Sequence, residues 1–163
     1  MIMTINKGLQ KGLAAVEFAI ALPLIALIAL AVTELGRGLY HYNTLSKAVH
    51  DGARFLADDI FIELPFSDVP TILRNNTSLV TQTKNLVVSG DVDGGTALLK
   101  GLDIGTVTVG SVPVTMSDGS VDNHIVVTAT YTFPSLLFPD LSVLGYSMSP
   151  TFTVTAVERA LKI

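Results

Sequence analysis

The sequence predicts an α+β protein in which one long N-terminal helix, membrane-spanning in its first half, packs on a small antiparallel β-sheet of about three strands. Three observations carry this. From Leu13 to Val32 the only ionisable residue is Glu17. Beyond that block, apolar residues recur at three- and four-residue steps, the helical period. The last third instead alternates apolar residues with threonine, the period of a half-buried strand.

The apolar block comes first. Twenty residues rising 1.5 Å each make a helix of about 30 Å, the thickness of a bilayer's hydrocarbon core. A helix is the form in which one lone segment satisfies its own backbone in lipid. Pro23 lies inside and should bend it, which membrane helices tolerate better than soluble ones. Lys7 and Lys11 precede the block without an acid, so the N-terminus is expected in the cytoplasm and residues 34–163 outside it. A secretory signal cut after Ala31 is the alternative. The length of the run and the glutamate within it weigh against that reading.

The remaining helix and strands follow in order. Leu35, Leu39, Tyr42, Leu45, Val49, Ala53 and Leu56 form one apolar stripe that continues the first helix. Gly36 and Gly38 weaken it at the membrane exit, by about 1 kcal/mol each against alanine; a joint or close packing on a neighbour would explain them. Glu34 and Arg37 are spaced to pair at i,i+3. Leu64-Pro65-Phe66 and Pro70 should end the helix. Thr77 to Val88 reads as a short helix with Leu79, Val80, the Lys84 stem and Val87 along one side, stopped by Gly90. Asp91 to Gly105 is loop-rich. Strands are expected around Val107–Val114, with Pro113 suggesting an edge, then at Ile125–Phe133 after an Asp118-Gly119 turn, and at Thr151–Ala156. Pro134 to Pro139 should be a loop.

Charge and composition exclude several functions. Of 14 acids and 10 bases, only Glu17, Lys7 and Lys11 precede Glu34, which leaves the outer part at a formal −5. Such a surface is a poor binder of nucleic acid, whose affinity comes largely from phosphate neutralisation. The chain has no cysteine, which removes disulfides, thiolate metal sites and cysteine nucleophiles together. His41, His50 and His124 lack metal-ligand spacing. Asp91-Val-Asp93-Gly-Gly95 starts like a calcium loop, but Leu102 stands where the bidentate glutamate belongs; an acidic turn is the plainer reading. Asn75-Asn76-Thr77 is a formal glycosylation match and nothing more. No nucleophile elbow or phosphate loop is present. No enzymatic activity, cofactor, metal or small-molecule substrate is expected.

Glu17 is the most informative residue. A carboxylate at the centre of a spanning helix costs about 2.5–3.5 kcal/mol, less near its end. It could simply reach headgroup water. Its context points elsewhere, because Gly12 directly precedes Leu13 and Glu17 is the fifth residue counted from Leu13. A protease cutting between Gly12 and Leu13 would create an α-ammonium group, and in a helical stack that group could pair with Glu17 of a neighbour. An unpaired buried charge would be penalised, so the pairing would set the axial register. A cut at Gly8-Leu9 would put Leu13 at the fifth position and lose the pairing.

Residues 10–57, QKGLAAVEFAIALPLIALIALAVTELGRGLYHYNTLSKAVHDGARFLA, resemble the TadE-like minor pilins of tight-adherence (Tad, Flp-type) pilus systems. The likeness rests on the basic residue and glycine before the junction, the AAVEF block, the proline that follows, the E-x-G-R segment, Tyr-x-Tyr-Asn and Gly-Ala-Arg. It continues more weakly through TKNLVVSG and the terminal strands. The resemblance implies a pilin-like fold, with residues 1–12 as a prepilin leader, 13–33 as the transmembrane and assembly helix, and 34–163 as an extracytoplasmic domain. It implies processing by an inner-membrane prepilin peptidase at Gly12-Leu13, with Glu17 as the conserved-type acid and Phe18 in the aromatic position beside it. Its expected partners are that peptidase, other pilin and minor pilin subunits, and inner-membrane lipid. Lys11 stands where arginine is commoner, and the cysteines of some relatives are missing. The chain exceeds the major Flp pilin in length, which favours a minor subunit. An uncleaved single-pass adaptor of the same machinery is the alternative, and a hydrolase with an unrecognised site the remaining one.

Overall fold

The computed structural model describes residues 7–63, 69–136 and 149–159, with side chains from Gly12 to Ile60 in the first of these stretches. The order of elements is α1 (Lys7–Glu63), α2 (Val69–Asn75), α3 (Thr77–Ser89), a 3-10 turn (Ile104–Thr106), then β1 (Val107–Thr115), β2 (Val121–Thr132) and β3 (Thr151–Glu158). This is an α+β architecture with one long helix on a three-stranded antiparallel sheet.

α1 is continuous across Pro23, Gly36 and Gly38. A proline removes one backbone donor and a glycine costs backbone entropy, but the apolar run around Pro23 and the packed turns above the glycines keep the helix intact. Within α1, Gly12–Ile60 is long and apolar enough to cross a membrane, and none of its most apolar window is buried. A Cβ built on Gly36 or Gly38 would meet nothing within 4 Å, so neither glycine serves close packing inside this chain.

The buried side of α1 differs from the expected stripe in its first half. Leu45, Val49, Ala53 and Leu56 are buried as expected, joined by Ala48, Ala57 and Ile60. Leu35, Leu39 and Tyr42 are exposed instead. The side turned to the sheet at that height is Glu34, Arg37 and His41, each half-buried. Apolar periodicity alone cannot choose between two adjacent helical faces when polar residues on one of them find hydrogen-bond partners.

Pro70 does not end a helix but occupies the second position of α2, in the first turn where its missing N–H has no helical partner to lose. The segment 64–66, expected to break α1, lies outside the described residues. α3 runs to Ser89, one residue past expectation. Its first turn is capped by Asn76, whose side chain accepts from the Leu79 N–H at 3.2 Å. Gly90 closes it with φ of 80° and an N–H bond to the Leu86 carbonyl, the left-handed cap that glycine allows without steric cost. Thr83, not Lys84, is the buried polar residue of this helix, and its hydroxyl donates to the Leu79 carbonyl at 2.8 Å. Asp91 forms an acidic turn, its carboxylate accepting from the Asp93 N–H at 3.0 Å.

The sheet order is β1-β2-β3. β1 is therefore an edge, as Pro113 suggested. The turn at Asp118-Gly119 closes the β1–β2 hairpin, with Gly119 at φ 82° and the Met116 N–H donating to the Ser120 carbonyl at 2.7 Å. β2 begins four residues earlier than its apolar alternation, at Val121, because Asp122, Asn123 and His124 still pair with β1. Ile125, Val127, Ala129 and Tyr131 point to the helices and are buried. The opposite face carries three consecutive cross-strand threonine pairs, Thr128 with Thr155, Thr130 with Thr153 and Thr132 with Thr151. Val154 and Ala156 of β3 complete the core against α1.

Candidate functional site

Two groups of residues qualify, one at the start of α1 and one where α1 meets the sheet. Gly12, Leu13, Glu17 and Phe18 all lie on α1 with their surfaces exposed. Among the described residues Glu17 makes no hydrogen bond or ion pair. A Cβ on Gly12 would meet nothing within 4 Å, so folding of this chain supplies no reason for a glycine there. The contrast within the same helix is Gly52, whose added Cβ would fall 2.5 Å from Val87 Cγ2. Glu17 and Leu35 are separated by roughly five turns of 3.6 residues. On an ideal helix they would leave the axis in the same direction, and Leu35 is exposed.

The second group was legible only in part. Glu34 and Arg37 pair as expected at 2.7 Å, but the pair does more than decorate a helix. Glu34 Oε1 also accepts from the Leu136 N–H at 2.7 Å. Arg37 reaches the Pro134 carbonyl at 3.4 Å and sits over the Phe133 ring, 5.2 Å from its centroid. Together they hold the segment leaving β2 against the helix. Burial pushes the Glu34 carboxyl up, yet the hydrogen bonds from Leu136, the Ser135 side chain and Arg37, with the charge of Arg37, outweigh it and leave the group below the ordinary carboxylate range.

One turn further on, His41 Nδ1 lies 2.9 Å from the Tyr131 hydroxyl, which donates to the Lys100 carbonyl at 3.3 Å. The tautomer with the proton on Nδ1 satisfies both bonds at once. Partial burial, then the Arg37 charge, depress the His41 pKa, with Glu34 acting in the opposite sense. Burial raises that of Tyr131. Phe133 meets the His41 ring edge-on at 5.1 Å and packs on Phe152, which in turn meets Tyr42. The spacing 34, 37, 41, 45, 48 was the available signal: the polar residues continue the buried stripe without a break.

These features define a class of protein, an α+β domain carried on the distal half of one continuous helix whose proximal half is apolar, exposed and marked by a lone carboxylate. Residues 12–54 match the model of the family described as TadE-like protein, the one that the AAVEF and E-x-G-R segments pointed to. No curated protein and no solved structure matches the chain significantly.

Proposed function

We propose that this chain is a minor pilin-like subunit of a Tad-type pilus system, inserted in the inner membrane through residues 13–33 and incorporated through the face of α1 that bears Glu17. The observation that carries the reading is that carboxylate, exposed and unpaired among the described residues. The TadE-like match over residues 12–54 supports the choice of machinery. In this reading a prepilin peptidase recognises Gly12, Leu13 becomes the new ammonium terminus, Phe18 flanks the acid, and Glu17 receives the ammonium of an adjacent subunit. No catalysis is assigned to the chain.

A new α-amino group is cationic near neutral pH, and pairing two charges in lipid removes the penalty each carries alone. Gly12 is also accounted for, since neither packing nor a turn in this chain requires it. The mature N-terminus, read by mass spectrometry from native membranes, tests the proposal. A start at Leu13 supports it, a start at Met1 favours an uncleaved adaptor, and a start at Val32 means a secreted domain. The adaptor reading has one observation of its own: α1 begins at Lys7, so the Gly12-Leu13 bond lies inside a helix. Glu17→Ala should insert normally, having lost a costly charge, but fail to enter filaments. Normal incorporation would remove the charge-pairing idea.

A further inference from the structure

We infer that the membrane-proximal pole of the domain is seated in the lipid headgroup layer, with Leu35, Leu39, Tyr40 and Leu136 as its lipid-contacting side chains. The inference rests on the reading that residues 13–33 span the bilayer and goes beyond it, since a spanning helix could equally hold its domain clear of the surface.

Leu35, Leu39 and Tyr40 are 65%, 55% and 67% exposed, and Leu136 is 69% exposed. All four fall within a layer of about 9 Å of helix rise. Leu35 and Leu39 follow the apolar block by about 4.5 and 10.5 Å of helix rise. Leu136 belongs to the segment leaving β2, but its N–H is bonded to the Glu34 carboxylate at 2.7 Å, which holds it beside the second residue past the block. The clamp made by Glu34 and Arg37 therefore brings a sheet-derived leucine down to the level of the helix exit.

Their arrangement around the axis selects the occupant. Leu35 and Tyr40 leave the helix about 140° apart at 100° per residue, and Leu136 sits on a third side, next to Glu34. One neighbouring helix covers one side of α1. A planar interface meets all sides within one layer of headgroup thickness, as this collar requires. Its composition suits the boundary too, with leucines toward the acyl chains and a tyrosine whose hydroxyl can stay in headgroup water. The exposed apolar surface is also continuous with the helix surface that lipid already covers.

The absence of cysteine makes the test direct. Single replacements Ile25→Cys, Leu39→Cys, Leu136→Cys and Ser117→Cys, each in the full chain, carry a nitroxide in phosphatidylethanolamine–phosphatidylglycerol vesicles. Collisions with oxygen and with an aqueous nickel chelate then report depth. Positions 39 and 136 should lie within about 5–10 Å of the acyl boundary, position 25 should be deep, and position 117, in the far hairpin turn, aqueous. If 39 and 136 match 117 while 25 stays deep, the seat is wrong and the span stands. If 25 is aqueous as well, both fall. Protection of 39 and 136 that vanishes on diluting protein in lipid assigns the collar to a neighbouring copy and overturns the lipid seat.

Discussion

Gly52→Ala is the substitution for which the structure gives the firmest consequence. Gly52 is buried on α1 where it meets α3, and the added Cβ would stand 2.5 Å from Val87 Cγ2, with the Thr83 carbonyl and Cγ2 at 3.6 and 3.7 Å. Val87 is fully buried and β-branched, and such a side chain in a helix is held to one rotamer, so it cannot swing aside. The two helices must part, at the 1–3 kcal/mol typical of overpacking. Alanine returns about 1 kcal/mol of helix propensity, leaving a net loss of about 0–2 kcal/mol and a fall in melting temperature of up to about 8 °C. Thermal unfolding of the full chain in detergent, followed through its tyrosines, measures this. The same substitution in a Val87→Ala background should cost less, because the clashing methyl is gone, giving a coupling of about 0.5–3 kcal/mol. A rise in melting temperature, or identical losses in both backgrounds, would refute the packing argument.

Tyr131→Phe removes the hydroxyl shared by His41 and Lys100, and denaturant unfolding should lose about 0.5–1.5 kcal/mol, the net value of the lost hydrogen bonding, because the half-buried His41 and the exposed Lys100 can turn to water. The depressed His41 pKa means the unfolded chain binds the proton more readily. Its contribution to stability is therefore fully present above the unfolded value near 6.5 and is lost as pH falls through the lower folded value; His41→Gln should flatten that part of the pH–stability curve. Gly12→Ala should leave melting unchanged within about 1 kcal/mol, since the Cβ enters open space, while the precursor accumulates uncut on an immunoblot. Normal maturation of that variant would leave Gly12 without a role.

The fold was largely legible because its elements obey one period each. The threonine alternation placed β2 and β3, Asp118-Gly119 placed the turn between β1 and β2, and Gly90 stopped α3 where a left-handed cap was needed. What misled was apolarity at the membrane boundary. Leu35, Leu39 and Tyr42 keep helical spacing with the core residues that follow, yet they face outward, while Glu34, Arg37 and His41, at an equally good helical spacing, hold the inner position through hydrogen bonds that apolarity does not reveal. α2 was missed because its proline reads as a breaker unless it falls in a first turn. Of the candidate site, Gly12, Leu13, Glu17 and Phe18 were visible as a motif. The clamp needed Pro134 and Leu136, and the hydrogen bonds that run on from His41 needed Tyr131 and Lys100, all distant in sequence, to come together.

The continuity of α1 has a mechanical consequence. From Pro23 to Ile60 the axis is about 56 Å long at 1.5 Å per residue, with no hinge between lipid and core. A bend of about 20° at the proline would carry Ile60 about 19 Å sideways. The helix is thus a lever: whatever orients its first two turns in the bilayer aims the entire domain, and a small correction at one end becomes a large displacement of the surface at the other.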